Sequence, residues 1–203
     1  ETYTDAVRVA LAHAAPTDAE RKVLVTHQFV TGAERSESED ISVGGSDNVD
    51  ASAFAGFDYV ALGHIHRPQN VGKNMRYCGT PLKYSFSEAK QDKSVTVVEL
   101  REKGSVTVRT VPLVPLREMQ EIKGRYDDLM LKSYYESTSY GEDYMHITLT
   151  DEEDIPDAVR KLRVVYRNLM KLDYDNARTR AAAPELAAGG IDTVSPLELF
   201  SDF

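Results

Sequence analysis

The sequence predicts a mixed α/β chain in two parts, a larger α/β portion followed by a small α+β one. Three observations carry that prediction. Short apolar runs, Lys22–Thr26 (K-V-L-V-T) and Tyr59–Leu62, stop at histidine or glycine-histidine, as buried strands do when they feed loops. Two runs rich in β-branched residues, Ser94–Leu100 and Ser105–Val111, flank Lys103-Gly104 and read as a hairpin. Beyond V-P-L-V-P-L, whose prolines break the hairpin, the pattern becomes helix, strand, helix.

Taken in order, Tyr3–Ala14 carries apolar residues at Tyr3, Val7, Ala10 and Leu11, an amphipathic helix stopped by Pro16. Thr31–Asn48 is polar, acidic and glycine-containing, a long surface loop of the kind found where a loop is functional or disordered. Asp50 caps a short helix, Ala51–Gly56, and the strand into His64 begins at Asp58. Met75–Cys78 is a further strand. After Pro112 come a helix around Asp127–Leu131, a strand Tyr144–Thr150 and a long helix Pro156–Leu172. From Asn176 onward alanine, glycine and proline dominate until Ser195. The expected divisions are therefore residues 1–111, 112–175 and a tail, 176–203.

At 203 residues and 41% hydrophobic, the chain can bury one good core and a smaller second one. No apolar run approaches the roughly 20 residues that cross a bilayer, and nothing at the start resembles a signal peptide. The single cysteine, Cys78, excludes an internal disulfide framework and fits a reducing cytoplasm. A net charge of −9 argues against whole-surface attraction to DNA but leaves room for a local basic face.

The chemistry concentrates in V-A-L-G-H-I-H-R-P-Q, Val60–Gln69. Alternation along an extended chain would turn His64 and His66 the same way. Two neighbouring imidazoles either share a cation or sit exposed on a loop. His27 ends another strand, and ligands in open sheets gather beyond the carboxyl ends of strands. His27, His64 and His66 are thus candidate metal ligands, the alternative for His27 being a core histidine. His13, on the first helix, and His146, on the outward face of a strand, have nothing in sequence to pair with. Arg67 and Gln69 follow the histidines, placed either to approach a phosphate or to sit in solvent. Cys78 is expected to pack inside its strand. Lys83, Tyr84 and Lys90 receive no role from their chemistry.

On the long helix, Arg160, Arg163, Arg167 and Lys171 fall at spacings of three and four, opposite Val159, Leu162, Tyr166 and Leu169. That basic stripe reads either as a track for a DNA backbone or as an ordinary solvated face. In the tail, Ser195-Pro196-Leu197-Glu198 is a capping box with proline at the first helical position. The helix after it would expose Leu199, Phe200 and Phe203, too short to stand alone and so expected to dock its apolar face on something.

Three stretches together resemble a known family: K-V-L-V-T-H-Q-F-V-T-G, F-D-Y-V-A-L-G-H-I-H-R-P-Q, and R-Y-C-G-T-P-L-K-Y-S-F-S-E-A-K-Q-D-K-S-V-T-V-V-E-L. They are similar to the SbcD family, nuclease subunits of bacterial SbcCD complexes within the calcineurin-like metallophosphoesterases. The likeness runs from about Arg21 to Asp175. Gly-His-x-His is common to the superfamily, and G-T-P-L-K-Y-S-F-S-E narrows it to SbcD. The resemblance implies a β-sandwich flanked by helices, of which residues 1–111 would be the C-terminal half, followed by a small α+β capping domain that contacts DNA. It implies that His27 and His64 hold one divalent ion and His66 another, about 3.5–4 Å apart, clamping a phosphodiester. Imidazole mixed with carboxylate suits manganese better than calcium. It further implies exonuclease and endonuclease action on double-stranded DNA ends and hairpins in repair, recombination and replication. Its partner would be an SbcC-like coiled-coil ATPase met by the tail, and a homodimer is compatible with the full complex.

The sequence also departs from that family. Its Asp-x-His, bridging aspartate and Gly-Asn-His-Asp motifs do not occur in these 203 residues, and the chain opens on Glu1 inside a helix pattern. The expectation is the C-terminal part of a longer protein, with no catalytic residue of its own and inactive alone. The other readings are a non-catalytic module that binds DNA and a partner, and a phosphodiesterase acting on small molecules.

Overall fold

The computed structural model describes residues 2–14, 19–35 and 48–181. The chain divides between Leu116 and Arg117 into two compact units, each with its own core.

In the first unit, helix α1 (Tyr3–Ala14) has the bounds that its apolar spacing predicts. Strand β1 is Val23–His27, β2 Phe29–Val30, β3 Asn48–Val49 and β4 Tyr59–Gly63. Asp50 accepts from Ser52 N at 2.8 Å and caps a 3-10 turn, Ala51–Phe54, shorter than the expected helix. Two further strands follow, β5 (Gln69–Asn70) and β6 (Met75–Tyr77). The main sheet has the order β1-β4-β6-β5, parallel except at β5. Val30, Val49, Phe54, Val60, Leu62, Ile65 and Tyr77 form the core, with Val7, Leu11 and Leu24 packed against it.

β1 differs from the buried strand expected of K-V-L-V-T. It lies at the edge of its sheet, so only Leu24 and Thr26 turn toward cover. Val25, 79% exposed, and Val23 turn outward. Of the long loop read over Thr31–Asn48, residues 36–47 lie outside the described residues, and its two ends join: β2 and β3 pair in parallel. The hairpin forms as predicted, β7 (Ser94–Leu100) against β8 (Val106–Pro112), Ser94 facing Pro112 and Leu100 facing Val106.

The second unit departs from helix–strand–helix. Its strands are β9 (Met119–Gly124), β10 (Tyr144–Leu149) and β11 (Asn168–Tyr174), in the order β11-β10-β9 and all parallel. Short helices α2 (Tyr126–Leu129) and α3 (Lys132–Tyr135) join the first two strands, and α4 (Ala158–Leu162) joins the last two. The expected long helix, Pro156–Leu172, is therefore a five-residue helix, a turn and most of a strand. Its apolar spacing misleads because a bulge interrupts β11. Met145 faces Leu169 but His146 faces Lys171, so Met170 is an extra residue. The bulge stretches the inward step from Leu169 to Leu172 to three residues, and with Tyr166 the series imitates a helical face. Tyr166 and Leu169 join Ile122, Leu129, Met145, Ile147, Leu149, Ala158 and Leu162 in the core.

Candidate metal centre

β1 and β4 run in parallel with His27 opposite Gly63, so their carboxyl ends arrive side by side. Gly63 lets the His27 ring lie close. A Cβ there would stand 2.9 Å from His27 Nδ1. The strand ends at Gly63, and His64 takes a φ of 99°, a region that side-chain-bearing residues rarely occupy. His64 and His66 are thus not two steps along one extended strand, as alternation supposes. What separates them is Ile65, 2% exposed, which anchors the turn in the core.

The His27 and His64 rings meet edge to face with centroids 5.4 Å apart, and Phe29 flanks His64. Two imidazoles on one tetrahedral ion, each bound at about 2.1 Å, have ring centres roughly 5 Å apart. The pair therefore fits shared ligation. His66 is held otherwise: its Nδ1 lies 3.0 Å from Glu88 Oε1 and its ring edges against Tyr84. Its carbonyl accepts from Lys93 Nζ at 3.0 Å and from Thr80 N at 3.1 Å. Among the described residues no group of three or more His, Cys, Asp and Glu is arranged to hold a metal ion. The donor set that His27 and His64 offer is imidazole alone.

Glu88 and Lys93 lie in the third family-like stretch, but nothing in their own chemistry or spacing gives them a role. Both are buried, and Lys93 Nζ stands 2.7 Å from Glu88 Oε2 while also donating to Thr80 Oγ1 and Gln91 Oε1. Their segment has no helix or strand period to show an inward face; Glu88 ends a 3-10 turn, Phe86–Glu88, capped by Ser85. Arg67 pairs with Glu34, and Gln69 clamps the Glu34 backbone, accepting from its N at 2.8 Å and donating to its O at 2.7 Å. Lys83 donates to the Ala89 carbonyl, Lys90 lines an open hollow with Arg67 and Asp92, and Cys78 donates to the Ser94 carbonyl.

His146 corrects the expectation that nothing pairs with it. On the central strand β10 its Nδ1 lies 2.9 Å from Glu121 Oε1 and its Nε2 2.8 Å from Asp173 Oδ2. Parallel neighbours bring these carboxylates in from β9 and β11. The hydrogen bond from Lys171, then that from His146, holds the Asp173 carboxyl below the usual carboxylate range.

The basic stripe does not form. Arg160 is on α4, Arg163 is its C-cap and donates to the Leu169 carbonyl, and Arg167 lies beyond it, paired with Glu142 at 2.9 Å. Lys171 is on β11. Leu199, Phe200 and Phe203 lie outside the described residues. No helix among the described residues is long and apolar enough to cross a membrane.

Residues 115–203 match the family described as the Type 5 capsule protein repressor C-terminal domain, the C-terminal domain model of SbcD. The chain is 34% identical over 176 residues to the SbcD subunit of the SbcCD nuclease from Staphylococcus epidermidis, and 35% identical over 176 residues to that from Staphylococcus saprophyticus. Each match takes in 85% of this chain and 46% of the relative, so the chain spans about half the length of the curated relatives it matches. With the histidine and G-T-P-L-K-Y-S-F-S-E segments inside a mixed α/β fold, the chain belongs to the SbcD family.

Proposed function

We propose that the chain supplies part of the metal centre of a DNA nuclease, with His27 and His64 on one divalent ion and His66 on a second. The observation that carries this reading is the 5.4 Å approach of the His27 and His64 rings at the ends of adjacent parallel strands. The relatives' names, nuclease subunits, support the activity class. Imidazole mixed with the carboxylate ligands of a complete centre would suit manganese or a similar ion better than calcium. When bound, such a pair of ions lowers the pKa of a water and stabilises charge on the phosphodiester. The chain's own work is to hold and orient: Gly63 makes room for His27, Ile65 fixes the turn, and Glu88 fixes the His66 ring. The family's leaving-group motif does not occur in the sequence, so the chain alone is expected to be inactive.

The substrate proposed is double-stranded DNA ends, processed in the cytoplasm during repair, recombination and replication. The partner proposed is an SbcC-like ATPase, met through Leu199, Phe200 and Phe203. DNA contact in the second unit is proposed through Arg160 first, whose side chain is 85% exposed and, among the described residues, pairs with Asp157 at 3.9 Å. Arg163 and Arg167 are engaged with Leu169 and Glu142.

A nuclease assay with Mn2+ on the protein carrying its complete metal centre tests the reading. His64→Ala should abolish cleavage and leave the thermal melt in place; full cleavage by that variant overturns the assignment. The imidazole-only donor set among the described residues leaves a second reading, a module that binds DNA and partner without cutting. Under that reading His64→Ala leaves both cleavage by the complex and DNA binding unchanged.

A further inference from the structure

We infer that Glu88, braced by Lys93, is a positioning residue that fixes which nitrogen His66 offers to a metal. The inference rests on the proposed role of His66. Glu88 is fully buried, a placement that carboxylates almost never take unless paired. Oε2 takes the Lys93 ammonium at 2.7 Å, which supplies the counter-charge, and, at 3.4 Å, the Tyr84 backbone N–H. Oε1 takes the His66 ring, with Nδ1 at 3.0 Å.

A carboxylate only accepts, so Nδ1 carries the hydrogen and the ring lone pair, the one able to bind a cation, is on Nε2. The brace also acts on the backbone. The same Lys93 ammonium donates to the His66 carbonyl at 3.0 Å. Gly79, at φ 82°, packs so closely that a Cβ would stand 2.7 Å from that carbonyl oxygen. Ring and main chain of His66 are thus both tied to one buried ion pair, while Tyr84 covers a ring edge. Such an outer partner fixes tautomer and orientation, and its loss costs about 10–100-fold in metal affinity where this has been measured.

The test reads the tautomer directly. Imidazole nitrogen shifts of His66 are measured by long-range 1H–15N correlation in the metal-free protein, above about pH 8 where free histidine is neutral. Glu88→Asp keeps the charge for Lys93 but withdraws the carboxylate by one methylene. It is run beside Glu88→Gln because the latter strips Lys93 of its buried counter-charge. The expected result is a pure Nδ1–H ring in the parent and loss of that purity in Glu88→Asp. Calorimetric titration with Mn2+ should then show at least a tenfold fall in affinity, with an unchanged melt for Glu88→Asp. A parent ring already in the Nε2–H form overturns the inference, as does a Glu88→Asp variant with parental shifts and parental affinity. His66→Gln separates the two layers. If it leaves Mn2+ affinity unchanged, the metal reading falls, and with it the purpose assigned to Glu88; if it weakens Mn2+ while Glu88→Asp does not, only the inference falls.

Discussion

His64 reaches its edge-to-face contact with His27, 5.4 Å between ring centres, from a backbone φ of 99°. Holding a non-glycine residue there costs on the order of 1–3 kcal/mol. Two substitutions separate the ring from the backbone. His64→Ala removes the imidazole and keeps the strain, whereas His64→Gly removes both. Both should lose metal binding, and urea denaturation should find His64→Gly the more stable by about 1 kcal/mol. Equal stabilities would show that the turn relaxes without the ring.

Gly63 gives the complementary test. Its φ is not positive, so alanine fits the backbone, but the added Cβ would meet His27 Nδ1 at 2.9 Å. The exposed His27 ring can swing away, so stability should change by less than about 1 kcal/mol. Nuclear Overhauser contacts between the His27 and His64 rings should disappear, and Mn2+ affinity should fall with them.

In the second unit Tyr166, fully buried, donates its hydroxyl to the Leu129 carbonyl at 2.6 Å. Burial, with tyrosines 134, 140 and 135 adding to it, pushes the phenol well above its ordinary value, so it remains a donor throughout the working range. Tyr166→Phe leaves a buried carbonyl unsatisfied and should cost about 1–3 kcal/mol in urea.

Acid should loosen the same unit. Asp173 and Asp175 are held below the usual carboxylate range, chiefly by hydrogen bonds from Lys171 and Lys123. A depressed carboxylate contributes stability in full above its unfolded value, about 4, and loses it as pH falls through the lower folded value. Asp173→Asn should therefore melt earlier than the parent at neutral pH and converge with it as pH falls through the lowered value of Asp173. Circular-dichroism melts across that range check the convergence. Both side chains are substantially exposed, so salt should shrink the difference.

Deleting residues 196–203 tests the tail. Each of Leu199, Phe200 and Phe203, if buried on a partner, contributes about 1.5–3 kcal/mol before ordering costs. Association with the proposed coiled-coil ATPase partner should weaken at least tenfold while the melting temperature stays in place. Equal binding in calorimetry, with a lowered melt, would show that the tail folds back on its own domain.

Legibility in the sequence follows the strength of the local pattern. α1 and the β7–β8 hairpin carry complete periods and turn residues, and both form where expected. The convergence of His27 with His64 is visible because both end apolar runs. The Glu88–Lys93 brace is not, since its residues belong to a turn and a loop with no repeat to mark an inward face. β11 misleads for a sharper reason. Tyr166, Leu169 and Leu172 carry a step of three that belongs to a helix in sequence and to a bulged strand in space.

That bulge makes Met170 excisable. Without it, Leu169, Lys171, Leu172 and Asp173 would still have to meet Met145, His146, Ile147 and Thr148 in the same order. Every neighbour would keep its face, because the residue removed is the one that no partner on β10 counts. A one-residue gap at this point is therefore the length change β11 absorbs most easily. Deletion one step further on, at Lys171, would put Met170 against His146 and take away the ammonium that Asp173 leans on. Length variation among homologous chains should accordingly collect at position 170 and avoid its neighbour.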